Sequence, residues 1–240
     1  MKNNKKYKIF IAIDTNNISV VRKIMKQMDA FKKKGPIIFF PKFGLQFFYS
    51  KNGRNFLKNF KREFFLDIKA MDVKQTVVSA IESLKDIKKI RWITINASCG
   101  LETLKAAHKK AKEVNKNLKV LVVSVLTNHN NITMRELGHT KTIKQIVLKR
   151  AALTKKSGCE GIIASAEESK IIKKKFKKLF VVTPGIRLPG DKKDEQTRVV
   201  SPRDALIKKN ADAIVIGRSV TRDPQKIKNN LKKLIDHLKK

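Results

Sequence analysis

Phe64-Phe65-Leu66-Asp67-Ile68-Lys69-Ala70-Met71-Asp72 reads as an apolar strand that runs into charge at its C-terminal end. Side chains on a strand alternate with period two, so Asp67 and Lys69 fall on one face and Leu66 and Ile68 on the other, apolar one. Asp72 follows just past the strand end, where it can lean over the same pocket. Taken alone, the stretch also fits a salt-bridged strand end on an inert surface. The rest of the chain decides between these readings.

Working outward, similar apolar runs recur at intervals of about thirty residues, the length of one β-loop-α unit. They are Lys8 to Asp14, Pro36 to Lys42, Glu63 to Lys69, Arg91 to Ala97, Leu118 to Leu126, Cys159 to Ser165, Leu179 to Pro184 and Asp212 to Gly217, eight in all. Between them apolar residues take helical spacing, as in Val20, Ile24, Met28 and Phe31, or Val77, Ala80, Ile81 and Leu84. Val120-Leu121-Val122-Val123 and Ile214-Val215-Ile216 are continuous apolar runs, which suit a parallel sheet covered by helices. Eight such units predict a (β/α)8 TIM barrel, α/β in class, occupying residues 1–240 as a single domain. An open doubly wound sheet is the alternative, but no GxGxxG turn follows the first strand.

Composition narrows the classes. The chain has 240 residues, 41% hydrophobic and 32% charged, and no apolar run approaches the ~20 residues needed to span a bilayer. The basic Met1–Tyr7 segment is followed by a short apolar stretch interrupted by Asp14, a first strand and not a signal peptide. Cys99 and Cys159 lie far apart, and His108, His129, His139 and His237 form no metal-ligand pattern, so a cytoplasmic protein without a zinc site is expected. With 56 Lys+Arg against 20 Asp+Glu, the formal net charge is +36. The lysines are spread over every expected helix, as in Lys173-Lys174-Lys175 and Leu231-Lys232-Lys233, and no nucleic-acid reading element is present. The charge therefore follows a general Lys, Asn and Ile bias, and specific nucleic-acid binding is not expected.

In a barrel, active sites lie at the C-terminal ends of the strands. Those positions hold Asp14, Lys42, Asp67 with Lys69 and Asp72, Thr127, Pro184-Gly185-Ile186-Arg187 and Gly217-Arg218-Ser219. A surface ion pair gives no reason for so many polar groups to converge on one mouth. The last two turns suit an anion: glycine lets backbone N–H groups approach a phosphate, a following helix adds its dipole, and Arg187 and Arg218 add charge-assisted bonds. The long Gly185 to Ser201 loop is a lid candidate.

Leu66-Asp67-Ile68-Lys69-Ala70-Met71-Asp72, Val181-Val182-Thr183-Pro184-Gly185-Ile186-Arg187, Asp194-Glu195-Gln196-Thr197-Arg198 and Val215-Ile216-Gly217-Arg218-Ser219-Val220-Thr221 together resemble the bacterial orotidine 5'-monophosphate decarboxylases. The DxKxxD motif paired with TPGIR and GR carries the likeness over nearly the whole chain. The resemblance implies a barrel homodimer that converts orotidine 5'-monophosphate to uridine 5'-monophosphate and CO2 in pyrimidine biosynthesis, without cofactor or metal. It implies that Lys42, Asp67, Lys69 and Asp72 form an alternating charge array, with Asp72 reaching into the neighbouring subunit's site and Lys69 protonating C6. By the same resemblance Asp14 and Lys42 hold ribose hydroxyls, Thr76 touches the ribose across the dimer, Thr127 binds the pyrimidine edge, and Gln196 bridges base and phosphate from the lid. Arg218 binds the phosphate, with Gly217 and the turn of Pro184, Gly185 and Arg187 around it.

The chain departs from the family's usual pattern at Ala70, Met71, Lys74 and Asn96, none of which removes a charged member of the array. The DxKxxD motif is shared with barrel enzymes of sugar phosphates, which use Mg2+ held partly by an acid at the end of strand two. This chain has Lys42 there, and an ammonium cannot ligate a metal.

Overall fold

Strands that are apolar on both faces are stable only where helices cover one face and neighbouring strands' side chains fill the other. In the computed structural model, which describes residues 6–31, 36–191 and 199–239, the eight apolar runs meet both demands. They form β1 (Tyr7–Ile13), β2 (Ile37–Gly44), β3 (Phe64–Ala70), β4 (Ile90–Asn96), β5 (Lys119–Val123), β6 (Gly161–Ile163), β7 (Phe180–Thr183) and β8 (Ala213–Ile216). All neighbours pair in parallel, in chain order, and β8 closes onto β1 through Lys8↔Ala213 and Ile11↔Ile216. The closed order excludes the open doubly wound sheet.

The helices are α1 (Ile18–Asp29), α2 (Leu45–Phe48), α3 (Gly53–Lys58), α4 (Lys74–Glu82), α5 (Gly100–Val114), α6 (Asn131–Glu136), α7 (Ile143–Ser157), α8 (Ala166–Lys175), α9 (Arg218–Thr221) and α10 (Ile227–Lys239). Side chains such as Ile24, Met28, Val77, Ile81, Leu104 and Leu231 bury the helices' inner faces against the outward residues of the strands, Ile9, Ile11, Leu66 and Ile93 among them.

Inside the barrel Phe10, Phe40, Phe65 and Trp92 interlock. Phe10 lies 4.9 Å from Phe65 and 5.0 Å from Trp92 between ring centroids, both edge-on, a favoured aromatic arrangement. Phe65 points inward, so Asp67 and Lys69, two and four residues on, open onto the barrel mouth above this floor.

Strand ends shift by one to three residues from the sequence reading, most at β5, and β3 carries an irregularity that the reading did not show. β5 stops at Val123, not Leu126, although the apolar run continues. Ser124 still donates its N–H to the Ile163 carbonyl, but the next residues turn, closed by the His129 N–H on the Leu126 carbonyl. In β3, Leu66 pairs with Ile93 while Ala70 pairs with Ile95, so Asp67, Ile68 and Lys69 stand opposite the single residue Thr94. That bulge gives Lys69 a left-handed backbone, φ 48°.

Candidate active site

Every strand but β4 brings residues at or just past its C-terminal end to one cavity. Asp14 comes from the end of β1, Lys42 from β2, and Asp67 and Lys69 from β3. Lys42 is buried, its Nζ 3.2 Å from Asp67 Oδ2 and 3.9 Å from Asp14 Oδ1. Lys69 Nζ lies 3.0 Å from Asp67 Oδ1. The four groups thus form a row of alternating charge, Asp14, Lys42, Asp67, Lys69, with Asp67 between two ammonium groups.

Asp67 carries the electrostatics of the row. Burial pushes its carboxyl group upward, but the charges and hydrogen bonds of Lys42 and Lys69 together outweigh burial and hold it below the ordinary aspartate value. It is therefore ionised throughout the neutral range. Thr94, fully buried on β4, adds a further bond: its hydroxyl donates to Asp67 Oδ1 at 3.0 Å and accepts the Lys69 N–H at 2.8 Å.

The row borders a cavity of about 290 Å3. Its floor is Ala12, Phe65, Val123, Ile163 and Val215, and its far wall carries Pro184, Gly185, Arg187, Gly217 and Arg218, with Thr127 and Asn128 at the rim. Arg187 is almost wholly buried and donates from Nη1 to the Ile186 carbonyl. Arg218 opens the short α9. Both arginines also border an adjoining recess that includes Ser219, Arg222 and Lys226.

Two glycines are needed here. Gly185 has φ +76°, a conformation that side chains rarely adopt. A Cβ on Gly217 would sit 3.2 Å from Ala12 Cβ and 3.4 Å from Asp14 Oδ2, so its absence lets the end of β8 approach β1. The base of the Gly185 to Ser201 loop is pinned: Arg187 N–H donates to the Val200 carbonyl and Val200 N–H to that of Gly185.

Of the residues singled out from the sequence, Asp14, Lys42, Asp67, Lys69, Thr127, Pro184, Gly185, Arg187, Gly217 and Arg218 line this one cavity. Asp72 and Thr76 do not. Both are exposed, and Asp72 does not lean over the pocket of its own chain, because its carboxylate is turned to the loop, where Oδ1 accepts the Val73 N–H at 2.7 Å. Gln196 lies outside the described residues. Asn96, at one of the departures from pattern, caps the turn Ala97–Cys99 by accepting the Ser98 N–H.

Sequence reasoning missed Thr94, Asn128 and the apolar floor. A lone hydroxyl within Ile93-Thr94-Ile95 was the available signal for the first. Among the described residues no three His, Cys, Asp or Glu gather as a metal-binding group.

Alternating acids and amines at one mouth, above an apolar floor and facing two arginines, define the class as a (β/α)8-barrel enzyme. The family model described as Orotidine 5'-phosphate decarboxylase / HUMPS family matches residues 7–233. Proteins named orotidine 5'-phosphate decarboxylase are similar along the chain. The one from Legionella pneumophila (strain Corby) is 34% identical, covering 89% of this chain and 92% of its own. That from Fusobacterium nucleatum is 34% identical, covering 90% of each. A crystal structure of the Lactobacillus acidophilus orotidine 5'-phosphate decarboxylase superposes with a TM-score of 0.78 at 24% identity over 98% of this chain and 100% of that one, a likeness of fold. The chain belongs to the orotidine 5'-phosphate decarboxylase / HUMPS family.

Proposed function

We propose that this protein converts orotidine 5'-monophosphate to uridine 5'-monophosphate and CO2, a carboxy-lyase step of pyrimidine biosynthesis that needs neither cofactor nor metal. The observation that carries the reading is the unbroken row Asp14, Lys42, Asp67, Lys69 along a cavity whose opposite wall holds Arg187 and Arg218.

Loss of CO2 leaves an electron pair on C6 of the pyrimidine. An ammonium beside that carbon stabilises charge that exists mainly in the transition state, and it supplies the proton that replaces the carboxylate. Lys69 takes this role, held by ionised Asp67. Asp67 also stands near the departing carboxylate, where like charge favours its loss. Lys42 and Asp14 hold the ribose hydroxyls, Thr127 meets the pyrimidine edge, and Arg218, Gly217, Pro184, Gly185 and Arg187 surround the phosphate. Gln196 bridges base and phosphate from the Gly185 to Ser201 lid, whose closure draws on phosphate binding energy far from the reacting bond.

The protein acts as a homodimer in this reading, with Asp72 and Thr76 delivered to the partner's cavity. The exposure of both residues supports it, as do the exposed apolar side chains of Met71 and Val73 that flank Asp72. A cytoplasmic setting suits two free cysteines, of which Cys159 is inert because burial pushes its thiol up to about 12. No described helix is long and apolar enough to cross a membrane.

The sugar-phosphate chemistry of the wider family is disfavoured by Lys42, whose ammonium lies 3.2 Å from Asp67 Oδ2, where it competes with any cation for that carboxylate. Chromatography of the products tests the assignment: uridine 5'-monophosphate forms from orotidine 5'-monophosphate with wild-type protein and not with Lys42→Met.

A further inference from the structure

We propose that Thr94 is a positioning residue for the reaction, its one hydroxyl setting both the backbone of Lys69 and the carboxylate of Asp67. The inference rests on the decarboxylase reading for its kinetic consequences, while its geometric content stands apart from it.

A threonine hydroxyl has a single proton to give. The Lys69 N–H donates to Thr94 Oγ1 at 2.8 Å, and Thr94 Oγ1 donates to Asp67 Oδ1 at 3.0 Å. The same Oδ1 receives the Lys69 ammonium at 3.0 Å. A closed circuit results, in which the N–H and the Nζ of Lys69 are both referred to one carboxylate oxygen, the former through Thr94.

The bulge in β3 makes the circuit necessary. Opposite Thr94, Asp67, Ile68 and Lys69 depart from the regular β3–β4 register, and Lys69 adopts φ 48°, uncommon for a side chain of its size. Without the hydroxyl the Lys69 N–H loses the acceptor that Thr94 gives it, and the chain gains by relaxing toward a regular strand. Relaxation swings the ammonium off the cavity. Thr94 itself is fully buried and does not line the cavity, so it acts through Lys69 and Asp67 and not on substrate.

The test compares Thr94→Val, which keeps the shape and removes the hydroxyl, with Thr94→Ser, which keeps the hydroxyl. Thr94→Ala serves as a second hydroxyl-free variant if the valine protein does not fold. The expected result is a fall in kcat of about tenfold or more for the hydroxyl-free variant, with KM for orotidine 5'-monophosphate nearly unchanged and kcat largely restored in Thr94→Ser. Wild-type kcat without the hydroxyl, or equal losses in the serine and hydroxyl-free proteins, overturns the proposal. A crystal structure of the hydroxyl-free variant gives the independent readout. If Lys69 keeps its left-handed φ and its Nζ stays on Asp67 Oδ1, the positioning role is wrong. If wild-type protein leaves orotidine 5'-monophosphate intact, the functional assignment fails, and that structure alone decides the role of Thr94.

Discussion

The ammonium of Lys69 sits 3.0 Å from Oδ1 of Asp67, at a β3 residue whose backbone is left-handed. The contact makes Asp67 the electrostatic hinge of the mouth and gives stability an acid dependence of fixed sign. Its carboxyl group titrates below the ordinary aspartate value in the folded chain. The stabilisation is therefore complete above the unfolded value and is lost as pH falls through the lowered native one. In chemical denaturation, the stability gap between wild type and Asp67→Asn is expected to be flat above about pH 5 and to close below about pH 4. A gap that widens in acid contradicts the assignment of charge.

Arg218 borders the cavity at the far wall, and Arg222 borders only the adjoining recess. Charge-assisted bonds to a phosphate are worth about 1.5–3 kcal/mol, so Arg218→Ala is expected to lower kcat/KM about ten- to a hundredfold. Arg222→Ala should change it far less. Steady-state kinetics on both variants checks the distinction, and equal losses would move the phosphate outward into the recess.

Asp72 and Thr76 stand outside their own chain's cavity, so a shared site predicts complementation. Lys69→Ala and Asp72→Asn proteins, each inactive alone, are unfolded, mixed and refolded together. Random reassortment makes half of the dimers mixed, each with one intact site of two, so about a quarter of wild-type activity returns. Absence of recovery from a mixture shown by sedimentation to be dimeric contradicts a site built from two chains.

Phe10 anchors the floor, fully buried and edge-on to Phe65 and Trp92. Phe10→Ala is expected to cost about 3–5 kcal/mol in denaturant unfolding, because the rings around it cannot all close on the space left behind. A loss under about 1 kcal/mol would mean that the barrel interior collapses freely, unlike a close-packed core.

The barrel was legible because a parallel strand covered on both faces leaves an apolar run whatever its neighbours are. Where the run and the hydrogen-bond ladder part company, legibility ends: Val125 and Leu126 continue the apolar pattern of β5 after the chain has left the ladder at Ser124. Period-two alternation placed Asp67 and Lys69 on one face correctly. It could not show that the register against β4 makes room for both opposite Thr94, since that is a relation between residues 27 apart. Thr94 looks like any β-branched strand residue until its hydroxyl is seen between the two. Asp72 misled in the opposite way: a carboxylate next to the site in sequence is turned outward on the isolated chain.

The most direct measurement of the central claim is the ultraviolet absorbance of orotidine 5'-monophosphate after addition of purified protein in excess EDTA, with Lys69→Ala in parallel. The account predicts a decay in the wild type that EDTA leaves unchanged and that the variant lacks. A wild-type protein that produces no decay, or a decay that persists without Lys69 or vanishes with EDTA, would contradict it.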